Sequence, residues 1–195
     1  MTAVDLSAKS LEVASQRVRV FGLEDRVRFF QANAEQLEQT LPTETYDLVY
    51  SFGVIHHTPH PDRVLEQVRK YVKPGGTLKV MVYHRWSWKV LWTVMTYGRG
   101  RFWKLSSLVA THSEAQTGCP VTYIYSRRAG REWLERHGFT VTDVRVEHIF
   151  PYVIRDYVEY RYRKVWYFRW LPPRVFRWLE SRLGWHLCLT ARAPA

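Results

Sequence analysis

Residues 46–83, YDLVYSFGVIHHTPHPDRVLEQVRKYVKPGGTLKVMVY, decide the fold because they contain a strand, a loop, a helix and a second strand in that order. The stretch 46–51 is nearly continuous in apolar character, which is typical of a buried strand in a parallel sheet. His60-Pro61-Asp62 has the composition of a helix start, and Pro74-Gly75-Gly76 that of a helix stop. Residues 77–83 then form the next strand. This order predicts a βαβ unit with a right-handed crossover.

A similar strand–helix–strand pattern precedes this unit. Residues 2–6 predict a short strand, and the hydroxyl of Ser7 is suited to cap the helix that follows. Apolar residues then repeat at helical spacing, and Gly22 ends the helix. Residues 27–31 predict a second strand, and a turn and a short helix follow at 33–37.

Beyond the fourth strand the helices become rich in aromatic residues. The predicted elements are two helices within 86–118 broken at 98–100, a connector or short strand at 120–125, a helix from Ser126 to His137, a strand at 139–150, a helical segment at 151–183 broken at 172–173, and a final strand at 185–191. The whole pattern predicts an α/β fold. We expect a three-layer sandwich around a mostly parallel, Rossmann-like sheet, with an antiparallel last strand and helical insertions.

The predicted elements form one domain over residues 1–195, since no linker is long enough to separate two domains. Within it, residues 1–85 form the expected cofactor-binding half, and 86–125 a helical insertion. Residues 126–195 complete the sheet and carry an aromatic and basic helical cover at 151–183.

The composition is that of a globular protein with a basic and aromatic surface. The 195 residues carry a formal net charge of +11 and include nine Trp. Such a balance favours nucleic acid, anionic lipid or an acidic substrate as partner. It also occurs on arginine-rich bacterial proteins without a specific partner, so charge alone does not choose among these classes.

The sequence gives no support for a metal site, a membrane span or a signal peptide. Cys119 and Cys188 lack the spacing of metal ligands, so no metal site is predicted. No apolar run approaches the ~20 residues of a membrane span, and the first residues lack the pattern of a signal peptide. We therefore expect a cytoplasmic protein.

Polar and small residues follow the predicted strands at their carboxyl ends. Asp5 ends the first strand, Asn33 and Ala34 follow the second, and residues 51–57 (SFGVIHH) follow the third. In open parallel sheets, ligands bind beyond those ends. An acidic residue such as Asp5 is well placed there to accept hydrogen bonds from a ribose.

These residues, together with residues 73–76 (KPGG), resemble the class I S-adenosylmethionine-dependent methyltransferases, in particular the small-molecule branch that includes the quinone-biosynthesis enzymes. The resemblance covers residues 2–83 and continues more weakly through 126–150 and 185–192. It implies an enzyme that transfers the methyl group of S-adenosylmethionine to a nucleophilic oxygen, carbon or nitrogen of a small molecule.

The resemblance also implies which residues hold the nucleoside of the cofactor. Asp5 would bind the ribose hydroxyls, and Leu6 would pack beside the adenine. Asn33 would accept a hydrogen bond from the adenine amino group through its side-chain carbonyl. Ala34 would supply a backbone amide to the adenine ring.

The residues after the third strand would meet the reacting end of the cofactor and the acceptor. Ser51 and Phe52 would line the cofactor near its sulfonium, and His56 or His57 would face the substrate as the candidate catalytic residue. A histidine near neutrality can accept a proton from a hydroxyl or carbon acid. Many methyl transfers need no base, because the sulfonium is already a strong electrophile and positioning supplies most of the catalysis. Residues 83–85 end the fourth strand and are further candidates for the substrate pocket.

One part of the family's pattern is not found. The family's first strand and glycine-rich loop would precede Asp5 by about 20 residues, and that strand would lie between the strands ending at Asp5 and Ser51. Without it, two central strands lose a hydrogen-bonded neighbour. We therefore expect that Met1 is an internal start or the edge of a gene fragment, and that the chain is an N-terminally truncated methyltransferase.

The segment from Phe150 to Trp185 supports an alternative function. It carries eight Arg or Lys against three acidic residues, interleaved with twelve aromatic residues. Aromatic side chains interleaved with cationic ones are typical of RNA-binding surfaces and of amphipathic segments on anionic membranes. A helical segment that packs its aromatic side on the sheet has the same composition. The alternative is a non-catalytic fragment or binding module that contacts anionic membrane or RNA through residues 150–185. Of these two partners we expect peripheral membrane contact rather than nucleic acid.

Overall fold

The computed structural model describes residues 1–112, 121–153, 156 and 159–195. The strands, in chain order, are β1 (Thr2–Asp5), β2 (Arg28–Gln31), β3 (Tyr46–Phe52), β4 (Val72–His84), β5 (Ile124–Tyr125), β6 (Thr140–Glu147) and β7 (His186–Arg192). The helices are α1 (Ala8–Val20), α2 (Pro61–Tyr71), α3 (Trp88–Thr96), α4 (Leu105–His112), α5 (Arg127–Arg136), α6 (Trp166–Arg169) and α7 (Pro173–Leu183). Short 3₁₀ turns lie at Glu24–Arg26, Ala34–Gln39, Ile55–His57 and Phe102–Lys104.

The strands form two sheets. β1 and β2 pair in parallel, with Asp5 opposite Gln31. The larger sheet has the order β3-β4-β7-β6, and β5 pairs with the end of β4. β3 and β4 are parallel, whereas β7 runs antiparallel between β4 and β6. The predicted α/β class, with parallel neighbours and an antiparallel last strand, is confirmed.

Helices cover both faces of β4, because this strand directs apolar side chains toward each face of the sheet. Leu78, Val80 and Val82 lie in the main core with residues of α2 and α5. Met81 and Tyr83 lie in a second cluster with residues of α3 and α4. The result is the three-layer arrangement that the sequence predicts, with β4 at its centre.

The predicted helix ends are confirmed by their hydrogen bonds. The Ser7 hydroxyl accepts from the Ser10 amide at 3.3 Å at the start of α1, and the Ser126 hydroxyl accepts from the Ala129 amide at 3.1 Å at the start of α5. Gly22 and Gly138 follow α1 and α5 with φ of +63° and +78°, which is the left-handed region that glycine reaches without strain.

The structure corrects some predicted boundaries. β4 begins at Val72, earlier than predicted, because residues 73–76 form an irregularity in its pairing with β3 rather than a stop before it. The strand predicted at 139–150 ends at Glu147. Helix was predicted from residue 151, but Tyr152 forms an antiparallel bridge with Lys164, and the described helices of this region are α6 and α7. The predicted helical insertion extends into residues 113–120, which lie outside the described residues.

β1 and β3 each leave one edge unpaired within the described part of the chain. The starts of these two strands are joined through side chains, since the Tyr46 hydroxyl donates to the Thr2 hydroxyl at 2.9 Å. Three apolar side chains on one face of β3 are exposed: Leu48, Tyr50 and Phe52. Among the described helices, none is both long and apolar enough to traverse a bilayer.

Candidate functional site

The carboxyl ends of β1 and β2 bring two of the predicted cofactor residues together. Asp5 ends β1, and its carbonyl accepts from the Ala32 amide at 3.1 Å, so that Asn33 lies one residue beyond this pair. The register of the parallel ladder therefore sets Asp5 beside the turn that begins at Asn33.

Both side chains already make one local hydrogen bond. The Asp5 carboxylate accepts from the Ser7 amide at 2.8 Å, and the Asn33 side-chain oxygen accepts from the Glu35 amide at 3.0 Å. A carboxylate has about four acceptor sites and an amide oxygen two lone pairs. Each group thus keeps capacity to accept from a ligand. Leu6, beside Asp5, is an exposed apolar side chain, and Ala34 is half-buried.

The end of β3 supplies the second group. Ser51 is half-buried, and the Phe52 ring packs edge-on against His186 at 5.4 Å between ring centroids. Gly53 follows with φ of +75°, and its amide donates to the Met81 carbonyl at 3.2 Å. This left-handed turn directs the chain away from the sheet and into the loop that carries the two histidines.

A hydrogen bond connects the two groups of loops. The Glu35 carboxylate, in the turn after β2, accepts from the His60 amide at 2.8 Å, in the loop after β3. In the same region the Glu38 amide donates to the Gln67 side chain of α2 at 3.0 Å. These contacts hold the Asn33 turn against the loop that follows Phe52, although β1 and β3 are not paired.

His56 is fully buried, with 0% of its surface exposed. Its ring lies 4.1 Å from that of His57 and 4.1 Å from that of Tyr83. Neither ring nitrogen has a hydrogen-bond partner among the described residues. Burial, with smaller contributions from His57 and His186, lowers the pKa of His56 to about 2. The imidazole is therefore neutral at physiological pH and a very weak base.

His57 differs from its neighbour in exposure and in partner. It is half-buried, and its Nδ1 lies 3.2 Å from the Thr122 hydroxyl. The Thr122 hydroxyl holds the orientation of the His57 ring, and it donates or accepts at Nδ1 according to the tautomer of the imidazole.

Further aromatic rings pack beside the two histidines. Tyr83, at the end of β4, lies 4.0 Å from Trp185 between ring centroids. The Lys89 ammonium is 4.5 Å from the Trp185 ring. Of the other predicted pocket residues, His84 is buried and its Nδ1 lies 3.2 Å from the Gly184 carbonyl, whereas Arg85 is exposed.

Sequence reasoning missed Thr122, Lys89, Trp185 and His186 as site residues. The pairing of β4 with β7 places Tyr83 opposite His186, so the antiparallel last strand was the available signal for the last two. No comparable signal pointed to Thr122. Among the described residues, no group of three or more His, Cys, Asp or Glu side chains is arranged to hold a metal ion.

Residues 1–78 match the model of a family described as a methyltransferase domain. The methyltransferase GfsG of Streptomyces halstedii is 36% identical over 76 residues, which cover 39% of this chain and 27% of that protein. The 27-O-demethylrifamycin SV methyltransferase of Amycolatopsis mediterranei is 32% identical over 78 residues, which cover 40% of this chain and 28% of that protein. The matched part is thus less than a third of these methyltransferases.

The solved structure of the [4+2]-cyclase SpnF superposes on 100% of this chain and 66% of its own, with a TM-score of 0.62 and 20% identity. Such a match shows a shared fold and says nothing about the reaction. The matched segment, the sheet order and this superposition together give the chain the class I methyltransferase fold, so the predicted resemblance to that class is confirmed. Its quinone-biosynthesis branch stays a prediction.

Proposed function

We propose that the chain is part of a methyltransferase that uses S-adenosylmethionine to methylate a small-molecule nucleophile. One observation carries this proposal. A hydrogen bond from the His60 amide to the Glu35 carboxylate holds the loop after β3 against the turn after β2, within the segment that matches the methyltransferase-domain model. Both lie at the carboxyl ends of strands, the edge at which ligands of open α/β sheets bind. The proposal includes the division into a cofactor-binding half at 1–85, an insertion at 86–125 and a C-terminal half at 126–195, and a cytoplasmic location.

The residues at this edge fit the nucleoside of the cofactor. In the proposal, Asp5 accepts from the ribose hydroxyls and Asn33 from the adenine amino group, since each has acceptor capacity beyond its one local bond. Leu6 offers an exposed apolar surface to the adenine, and Ala34 a backbone amide. Ser51 and Phe52 lie toward the methyl-bearing end. S-adenosylmethionine, when bound, supplies an electrophilic methyl group.

We assign the role of general base, where the acceptor needs one, to His57 rather than His56. His56 is fully buried and its pKa of about 2 makes it a poor proton acceptor. His57 is half-buried and oriented by Thr122. In this assignment the neutral His57 imidazole takes the proton from the acceptor, and His56 positions the His57 ring through their contact. The surrounding rings of Tyr83 and Trp185 exclude water and favour an apolar acceptor.

A change of His57 to Gln separates this role from binding. In a protein that also carries the N-terminal strand proposed below, loss of a general base should lower kcat by about 10²- to 10⁴-fold, with the KM for the acceptor little changed. The change Thr122→Val, which removes only the orienting hydroxyl, should reduce kcat less than His57→Gln does. Equal kcat in wild type and His57→Gln would remove the base from the mechanism and leave positioning alone.

We also propose that methyl transfer requires one further strand, with a glycine-rich loop, between β1 and β3. Three observations support it: β1 and β3 each have an edge without a strand partner in the described chain, the Tyr46 hydroxyl links their starts to Thr2, and Leu48, Tyr50 and Phe52 are exposed on β3. A strand placed between them would hydrogen-bond to both edges, at the usual spacing of about 4.8 Å to each neighbour.

Calorimetry with S-adenosylhomocysteine tests both parts of the proposal. Residues 1–195 are compared with the same chain carrying an N-terminal strand, glycine-rich turn and helix from a family member. We expect binding by the extended protein and at least tenfold weaker binding by residues 1–195. Equal binding would refute the need for the strand. Absence of binding by both proteins would refute the cofactor site and favour a binding module without catalysis, since one fold can host unrelated functions.

A further inference from the structure

Exposed tryptophans mark the outer side of α6 and α7. Trp170, after α6, is 80% exposed, and Trp178, on α7, is 58% exposed. Val175 precedes Trp178 by three residues, so this pair lies on one face of α7, and Trp166 begins the short helix α6 that Trp170 follows. Both Trp166 and Val175 are exposed as well. We call these four side chains the tryptophan face.

Arginines accompany these rings. The Arg169 guanidinium lies 5.7 Å from the Trp170 ring, and that of Arg182 lies 5.8 Å from the Trp178 ring. Arg174 and Arg177 occupy the exposed surface of the same helix. None of these four arginines forms an ion pair with a residue that the structure describes. The face therefore combines apolar rings with unneutralised positive charge.

The opposite side of these helices already supplies the packing contacts. Phe168 is buried and its ring lies 5.6 Å from that of Phe176. The one acidic residue of α7, Glu180, accepts from the Ile149 amide at 3.3 Å. α7 packs on β6, which is the edge strand furthest from β3. A strand inserted beside β3 would therefore leave the tryptophan face uncovered.

We propose that the tryptophan face binds the surface of an anionic lipid bilayer. Trp166, Trp170 and Trp178 enter the boundary between headgroups and acyl chains, where amphipathic rings are stabilised. The four arginines lie beside them and contact lipid phosphates, with their apolar stems along the rings. This surface is separate from the proposed methyl-transfer site and does not depend on it.

The charge and shape of the face distinguish this partner from two others. A second copy of the chain would bring four arginines against four arginines, which repel each other. Single-stranded RNA stacks its bases on rings along a positively charged groove, whereas these rings project from the outer side of helices, next to the aliphatic Val175. An anionic bilayer offers both the apolar boundary and the complementary charge.

Vesicle flotation of residues 1–195 tests the proposal. We expect binding to phosphatidylcholine vesicles that contain phosphatidylglycerol and at least tenfold weaker binding to pure phosphatidylcholine. Each arginine near an anionic surface contributes about 1 kcal/mol of binding free energy, which is slightly more than fivefold in affinity. The double variant R174Q/R177Q should therefore bind about 30-fold more weakly. W170S/W178S should also lose binding, through the apolar contribution.

Matched controls lie on α1 and its end. R17Q/R19Q removes the same charge from another exposed helix, and F21S removes an exposed ring. Both should bind as the wild type does. Far-UV circular dichroism and thermal unfolding check that the exposed substitutions leave the fold intact.

Three results would each overturn the proposal: equal binding to anionic and neutral vesicles, equal losses in the α1 controls, or no vesicle binding at all. In the last case, a dependence of self-association or RNA binding on the tryptophan face would identify a different partner.

Discussion

Replacement of His56 by Phe should change how the stability of the protein depends on pH. The phenylalanine ring has a similar shape and keeps contacts with His57 and Tyr83, but it cannot bind a proton. His56 has no exposed surface and no hydrogen-bond partner among the described residues, and burial lowers its pKa from 6.5 to about 2. The variant therefore isolates the cost of keeping one imidazole neutral inside the fold.

The sign and size of this pH effect follow from the pKa of His56 in the unfolded and in the folded chain. In the unfolded chain His56 takes up a proton near pH 6.5, whereas in the native state it stays neutral down to about pH 2. Between these values the unfolded state binds more protons, so the free energy of unfolding decreases as the pH falls. Each pH unit well inside this window corresponds to about 1.4 kcal/mol. From pH 6.5 to pH 4.5, His56 alone should cost the wild type about 2 kcal/mol.

Urea unfolding at both pH values measures the effect. The wild type should lose about 2 kcal/mol more than His56→Phe over this interval. His186, with a pKa lowered to about 4, and the buried His84 add a dependence of the same sign to both proteins, and it cancels in the comparison. His60→Phe, at an exposed position, should follow the wild type. Parallel losses in wild type and His56→Phe would mean that His56 is hydrated or protonated in the folded protein, and the reasoning would fail.

Two further substitutions test the cofactor site and the packing. Asp5→Ala should weaken the binding of S-adenosylhomocysteine by about 1 to 3 kcal/mol in the extended protein, measured by calorimetry, whereas Asp25→Ala should leave it unchanged; equal affinities would place the ribose elsewhere. Gly184→Ala should destabilise the protein by more than about 2 kcal/mol in urea unfolding, because the new methyl group would collide with the backbone carbonyl of Glu147. Gly130→Ala should cost less, since the nearest atoms there are leucine methyl groups that can move.

Local sequence signals were sufficient for most of the elements. A serine cap and a following glycine bounded α1 and α5, and His60-Pro61 marked the start of α2. These signals work because they depend on a few neighbouring residues. The Pro74-Gly75-Gly76 stretch misled for the same reason: it reads locally as a break, yet the pairing of β4 with β3 continues past it.

The arrangement of the candidate site depends on contacts between residues far apart in the chain, which local sequence patterns do not reveal. Asp5 and Asn33 could be placed together because the carboxyl ends of parallel strands share one edge. The contacts of Trp185 with Tyr83, and of Thr122 with His57, join residues far apart in the sequence. The difference between His56 and His57 is likewise one of burial, which two adjacent histidines in a sequence do not reveal.

The start of α3 connects the two proposed functions. Trp88 lies 6.1 Å from Phe168, which packs beneath the tryptophan face. The next residue, Lys89, lies over the ring of Trp185. A bilayer bound by α6 and α7 would therefore lie near a series of side-chain contacts that continues through Trp88 and Lys89 to the rings beside the histidines. Stimulation of methyl transfer by anionic vesicles, lost in W170S/W178S and kept in F21S, would show that the two surfaces act together; equal rates with and without vesicles would show that they act independently.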